Sequence, residues 1–306
     1  MTGERVLIAL GGNAMTAPDG SAAPADQKRA IERAMTHVAD LIGRGHRVAI
    51  THGNGPQVGN ILLKNQLTAH VVPPVPLDWC GAQTQGTLGA LIMNALDPIP
   101  SATVVTRTLV DPGDPAFGDP VKPIGQYFSV VEARRFQALG QTWREFERGW
   151  RRVVASPRPV EILDAAPAVA LMEAGYTVVA AGGGGVPVVR DADGRLHGVE
   201  AVIDKDHAAC ALAQAVGADV LVIATDVPNA VAGYGTPEAR PIGSVTPKEM
   251  RVLQAEGHFA SGSMGPKVEA ALRFVEEGGA KSVITSLDNI AAAISGNIGT
   301  TVNRES

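Results

Sequence analysis

Cysteine and aromatic side chains are scarce in this chain, and basic runs, long apolar runs and paired metal ligands are missing altogether. Each absence narrows what the protein does. The two cysteines, Cys80 and Cys210, stand far apart in apolar, helix-like surroundings. They read as reduced core thiols of a cytoplasmic protein, with neither disulfide nor metal site expected. Aromatics make up 4% of 306 residues, too few for the stacking platforms that bind single-stranded nucleic acid. The formal net charge is −5, and the densest basic patch is only Arg148 to Arg152. Neither nucleic acid nor an anionic membrane is an expected partner. No apolar stretch approaches the ~20 residues of a spanning helix. The amino terminus runs into a strand within five residues, without signal-peptide architecture.

Familiar catalytic signatures are missing too. No segment supplies Gly-x-x-x-x-Gly-Lys-Ser/Thr, so a Walker A loop is excluded. Gly53-Asn54-Gly55 opens like a dinucleotide fingerprint, but the third glycine falls at Gly59 and Pro56 interrupts the motif. There is no Tyr-x-x-x-Lys pair, no Gly-x-Ser-x-Gly elbow and no His pair at metal-ligand spacing.

What is present is a rhythm. Apolar strand-like runs alternate with helical spacing along most of the chain, which predicts a largely parallel sheet with helices on both faces. The spacing predicts helices over 25–43, 57–69, 81–96, 165–174, 205–216, 264–277 and 287–294. Strands are predicted over 5–10, 47–51, 102–106, 176–181, 220–224 and 282–285. At this length the chain is one large α/β domain or two intimate lobes. From Asp111 to about Pro159 the rhythm breaks into Pro-rich segments. That stretch carries Tyr127, Phe128, Phe136, Trp143, Phe146 and Trp150, which predicts a small ordered subdomain with proline-rich hinges rather than a floppy insertion.

Three strands run directly into glycine: Leu10 into Gly11-Gly12-Asn13, Thr51 into His52-Gly53-Asn54-Gly55, and Ala181 into Gly182-Gly183-Gly184-Gly185. Ligands bind beyond the carboxyl ends of parallel strands, so these exits are expected to converge on one crevice. Glycine lets backbone N–H groups approach an anion closely. Any one loop also reads as a plain tight turn. Three lysines stand in notable company: Lys205 between Asp204 and Asp206, Lys267 inside a proline-opened helix, and Lys122 in the Pro-rich excursion. A lysine flanked by aspartates is also an ordinary solvated helix start. The functional alternative is phosphoryl transfer, which asks mainly for positioning and cationic stabilisation. His52, Asp78 and Arg158 read as braces of their loops, and Met264 as packing.

These segments resemble those of the carbamate kinases, a branch of the amino acid kinase family. The resemblance is carried, in order, by Ala9–Ala14, Thr51–Gly59, Leu77–Ala82, Thr108–Pro112, Asp114–Phe117, Lys122–Gly125, Trp150–Val154, Ser156–Pro159, Ala201–Asp206, Gly262–Ala271 and Gly299–Val302. It implies an αβα sandwich around a mainly parallel open sheet, with a small protruding lid at about 112–160. It also implies an acid-binding lobe over about 1–200, a nucleotide lobe over about 201–306, and a homodimer. The implied reaction is reversible transfer between ATP and carbamate, giving ADP and carbamoyl phosphate. Mg²⁺ would ride on the nucleotide phosphates, with no separate protein metal site. Carried over residue by residue, Gly11, Gly12, Asn13, Gly53, Asn54 and Gly55 cradle the acid and its phosphoryl group. Lys205 and Lys267 stabilise the phosphates, Asp206 orients them, and Lys122 reaches in from the lid. Thr225, Asp226, Met264 and Gly265 fall on the nucleotide side. The chain departs from the family after Val227, where Pro228-Asn229-Ala230 replaces an Asp and an aromatic residue, and at His207, where Leu is common. Two alternatives stand beside this reading: a kinase of another small carboxylate or carbamate-like acid, and a catalytically weak nucleotide-sensing module.

Overall fold

The computed structural model describes residues 3–16, 23–259, 264–296 and 298–304, with the side chains of Asn13 and Ala14 outside that description. Along the chain, β1 (Arg5–Leu10), α1 (Pro24–Gly43), β2 (Arg47–His52), α2 (Gly55–Thr68), α3 (Leu77–Leu96), β3 (Ser101–Thr103) and β4 (Arg107–Val110) come first. The excursion follows, with β5 (Lys122–Phe128), α4 (Val130–Gln137), β6 (Trp143–Phe146) and β7 (Gly149–Val154). Next are β8 (Pro159–Ile162), α5 (Ala165–Glu173), β9 (Thr177–Val179), β10 (Val186–Arg190), β11 (Leu196–Gly198), α6 (Lys205–Ala215) and β12 (Val220–Thr225). After a short pair, β13 (Val231–Ala232) and β14 (Arg240–Pro241), the chain ends in β15 (Ser244–Val245), α7 (Pro247–Ala255), α8 (Met264–Glu276), β16 (Lys281–Ser286), α9 (Ile290–Ile294) and β17 (Thr300–Asn303).

Among the described residues, the main sheet has eight strands in the order β15-β17-β16-β12-β1-β2-β9-β3. Every pair is parallel except β16 with β17. Its central strands read as unbroken apolar runs because helices cover both faces. The period of two is clean. Leu7, Ala9, Leu221 and Ile223 pack under α5, α6 and α8, while Val6, Ile8, Leu10, Val220 and Val222 pack under α1, α3 and α9. The expected mainly parallel sandwich is therefore the observed one.

The strand expected over 176–181 is the shorter Thr177–Val179, and three element boundaries differ from the sequence expectation by three residues or more. The strand expected over 102–106 stops at Thr103, because the backbone N–H and C=O of Thr106 are both taken by the Gln85 side-chain amide, at 2.8 and 3.1 Å. The chain then joins a second sheet, β11-β10-β4-β8. The helix expected from Gly81 begins at Leu77, whose N–H is accepted by Glu200 Oε1 at 2.9 Å, a cap supplied from distant sequence. The last expected helix opens as a 3₁₀ turn over Leu287–Asn289 before α9.

The excursion is ordered. β5, β7 and β6 form an antiparallel sheet, and Ser129 closes a capping box with Glu132 at the start of α4. Phe128, Phe136 and Trp143 form its small core: Phe136 stacks on Trp143 at 5.4 Å, and Phe128 meets both rings edge-on. It meets α2 backbone to backbone at one point, where a Cβ on Gly59 would stand 2.7 Å from Gly125 Cα, and beside it Ile124 packs with Val58 and Leu62.

Candidate active site

The first two strand exits and part of the third meet at the carboxyl edge of β1, β2 and β9. Gly53 donates its N–H to Leu10 O at 3.0 Å, and a Cβ on Gly53 would lie 3.6 Å from Gly12 N. Gly11 donates to Ala224 O at 3.0 Å and sits so close that a Cβ would come within 2.9 Å of that oxygen. The Gly182–Gly185 run is a wedge. Ala181, Gly183, Gly184 and Gly185 all have positive φ, and a Cβ on Gly182 or Gly183 would strike His52 Nε2 at 2.4 Å or Asn54 Nδ2 at 2.1 Å. Its main work is to let this turn close under the β2 loop, and of the four glycines only Gly183 reaches the cleft wall.

The cleft has a volume of about 290 Å³. Three helices begin on it: α2 with Gly55 and Pro56, α6 with Lys205 and Asp206, and α8 with Pro266 and Lys267. Each contributes the positive end of its dipole. Lys122 closes the cleft from the excursion. Asp206 is 3% exposed and accepts from two lysines, Lys205 Nζ at 2.5 Å on Oδ1 and Lys267 Nζ at 3.2 Å on Oδ2. Two ammonium groups are thereby fixed side by side. Beside them Lys122 Nζ donates to Asp204 Oδ2 at 2.6 Å. Three lysines against two carboxylates leave the cleft a net cation, the charge needed to hold a phosphoryl group. Both carboxylates are already engaged by lysines, and no group of three His, Cys, Asp or Glu residues suited to a metal occurs among the described residues. This donor set suits a Mg²⁺ ion carried largely by phosphate oxygens and water.

Of the sequence candidates, Lys122, Lys205, Asp206, Lys267, Gly12, Gly53, Asn54 and Gly55 all line this cleft. Gly11 lies buried beneath it. Asn54 turns its amide Nδ2 away to Thr84 Oγ1, at 2.8 Å. Thr225, Asp226, Met264 and Gly265 are not part of this wall. Thr225 ends β12 and donates its hydroxyl to Asp226, the next residue, at 3.0 Å, and Met264 and Gly265 open α8, with Met264 packed against the core below. The Asn13 side chain and residues Gly262 and Ser263 lie outside the described residues.

His52 is fully buried, and Nδ1 contacts Gly53 O at 2.9 Å. Burial pushes its imidazole below the usual value, against a smaller opposing effect of that carbonyl, so it is neutral at pH 7 and braces the loop. Asp78 packs against Gly198, and Arg158 is exposed, its N–H donating to Asp114 Oδ2 at 2.9 Å. Sequence reasoning passed over Asp204 as an individual residue. Its signal was an aspartate in the position before an apolar helix, and Oδ1 indeed caps α6 by accepting the Asp206 N–H at 2.9 Å. A wider cavity of about 860 Å³ between α1, α2, α3 and the excursion shares Gly55 and Pro56 with the cleft. None of the paired lysines lines it, so the cation cluster belongs to the smaller one.

The amino acid kinase family matches residues 4–286. The chain belongs to the amino acid kinase family. A carbamate kinase of Thermococcus kodakarensis is 46% identical, over 99% of this chain and 100% of that protein. Carbamate kinase 1 of Enterococcus faecium is 42% identical, over 99% and 100%. The solved structure of carbamate kinase from Giardia lamblia bound to AMP-PNP superposes with a TM-score of 0.93 at 41% identity, covering 99% of both chains. In fold and in relatives, this family member stands among the carbamate kinases.

Proposed function

We propose that this amino acid kinase is a carbamate kinase, catalysing ATP + carbamate = ADP + carbamoyl phosphate. The observation that carries the reading is the pair of lysines held on opposite oxygens of one buried aspartate, at the mouth of two glycine loops. A carbamate oxygen is already an anionic nucleophile. It attacks the γ-phosphorus, the new P–O bond forms as the bond to the β-phosphate oxygen breaks, and ADP leaves. No base is required, in keeping with a cleft whose nearby histidine is buried and neutral.

Lys205 and Lys267 meet the charge spread over the phosphoryl oxygens, and Asp206 keeps them parallel. Gly12 and Gly55 offer backbone N–H groups, while Gly53, whose N–H is spent on Leu10 O, leaves room for the acid. Lys122 completes the cation set from the lid. When bound, Mg²⁺ on the nucleotide would neutralise phosphate charge in addition to these cations. Thr225, Asp226, Met264 and Gly265 are assigned to the nucleotide, whose lobe is taken as about 201–306, opposite an acid lobe of about 1–200. Tyr234 is 80% exposed, too open to serve as an enclosed base contact in the altered segment after Val227.

The working direction is taken to be ATP synthesis in the cytoplasm. A homodimer is proposed through the free side of the edge strand β3 and the apolar surface of Leu67, Val71, Val72 and Trp79, all more than half exposed. Light scattering tests the dimer. A coupled assay with ADP, carbamoyl phosphate and Mg²⁺ tests the reaction. Turnover only with another carboxylate would redirect the acceptor, and nucleotide binding without turnover would favour a sensing module.

A further inference from the structure

The excursion meets the body through the Arg152–Glu200 ion pair, through apolar packing of Ile124 and Val154 with Val58 and Leu62, and through backbone contacts. Val202 donates its N–H to Ala155 O at 3.0 Å beside an Ala155–Ala201 bridge, and Gly125 lies directly on Gly59. The charged contact that lines the cleft itself is the ion pair of Lys122, the first residue of β5, with Asp204. We propose that Asp204 is the positioning residue for the lid cation, holding Lys122 at the rim of the phosphoryl cleft and tying the lid to the start of α6. This rests on the kinase reading of the cleft.

Asp204 divides its two oxygens between these tasks. Oδ1 caps α6, one residue before Lys205 and two before Asp206, and Oδ2 holds Lys122. A shift of the lid is thus transmitted through a single carboxylate to the helix start that carries two of the cleft's charged groups. Without it, the four-carbon Lys122 stem is free to rotate, and the lid is left with its backbone contacts, its apolar packing and the Arg152–Glu200 pair, none of which reaches the paired lysines. The Asp204 side chain is 16% exposed, so solvent screens the pair weakly. Burial pushes its carboxyl up, but Lys122, with smaller help from His207 and the Asp206 N–H, holds it well below the usual carboxylate range. The pin therefore stays charged through the neutral range.

Capping and pairing separate cleanly by substitution. Asparagine caps a helix as well as aspartate does but brings no charge, whereas glutamate keeps the charge and caps poorly. Asp204→Asn, Asp204→Glu, Lys122→Ala and the Lys122→Ala/Asp204→Asn double variant are compared by steady-state kinetics, melting and hydrogen exchange of the 111–128 segment. The expected result is an Asp204→Asn protein that melts no lower than Lys122→Ala, exchanges this segment faster, and loses about tenfold in kcat with little change in nucleotide KM. Asp204→Glu recovers part of the loss, and the double variant is no worse than Lys122→Ala alone. The proposal is overturned by losses that multiply in the double variant, by activity in Asp204→Asn but not Asp204→Glu, or by unchanged exchange. An increased Mg²⁺ requirement with unchanged exchange would also overturn it, making Asp204 a metal contact. Exchange needs no substrate, so it decides the point even if wild-type protein makes no ATP, a result that would sink the kinase reading alone.

Discussion

Gly53 and Lys205 are in contact: a methyl group on Gly53 would stand 3.2 Å from the Lys205 Cδ, so the bare glycine leaves the lysine stem its path into the cleft. Gly53 has no positive φ, so alanine there brings no backbone strain. Gly53→Ala should melt like wild type, yet push Lys205 aside by a few tenths of an ångström and lower kcat on the order of tenfold. Gly12→Ala is the companion case. Its methyl meets nothing within 4 Å and lies on the cleft wall, so it should raise KM for the phosphorylated substrate more than it lowers kcat. Comparing the kcat and KM changes of the two variants checks this.

Asp206 separates catalysis from stability. Asp206→Asn leaves two ammonium groups, 18% and 11% exposed, without their shared counter-charge. Removing one partner of a largely buried ion pair costs about 3 kcal/mol. The variant should melt lower than wild type, and inorganic phosphate or nucleotide should raise its melting temperature more than that of wild type, because the ligand restores the missing negative charge. Equal ligand shifts in both proteins would remove Asp206 from the phosphate site.

The excursion has a core of its own and should fail on its own. Trp143 is 4% exposed in the stack with Phe136. Trp143→Ala should cost about 3–5 kcal/mol within that small sheet. Hydrogen exchange should then accelerate across 122–154 while β1 and β12 keep their protection, and turnover should fall if the excursion acts as a lid. Uniform acceleration across the chain would show that excursion and body unfold as one unit.

Acid should weaken the fold through two histidines. Burial lowers the pKa of His52 and of His207 below 6.5; for His207, Asp204 and Asp206 oppose this, and Arg158 and Arg273 add to it. A group whose proton affinity is lower folded than unfolded binds more protons in the unfolded chain. Stability is therefore complete above about pH 6.5 and falls as pH drops below it, by up to ~1.4 kcal/mol per pH unit for each such histidine. His207→Leu should make the decline between pH 6.5 and 5 shallower in urea titrations. An unchanged slope would clear His207.

Much of this was legible in the sequence, for physical reasons. β1 and β12 are buried on both faces, so their apolar runs announced themselves, and each glycine exit marked the carboxyl end of a strand. Lys205, Asp206 and Lys267 stood out because a lysine at the positive end of a helix dipole is unfavourable unless an acidic group or a bound anion offsets it. What stayed hidden depends on contacts distant in sequence. Glu200 capping Leu77 starts α3 four residues early, and Gln85 clasping Thr106 ends β3 three residues before the predicted limit. The pairing of Asp204 with Lys122 spans 82 residues. The Gly182–Gly185 wedge looked like a third ligand loop because tight packing and ligand approach demand the same residue.

If lysines gathered by Asp206 carry the phosphoryl group between carbamoyl phosphate and ADP, ATP formation from these two with Mg²⁺, run for wild type and Lys205→Ala side by side, should show robust turnover by wild type and a loss on the order of 10³-fold in the variant. Folded wild-type protein that makes no ATP above the chemical background would rule out the reaction, and a variant within tenfold of wild type would rule out the lysine's role in it.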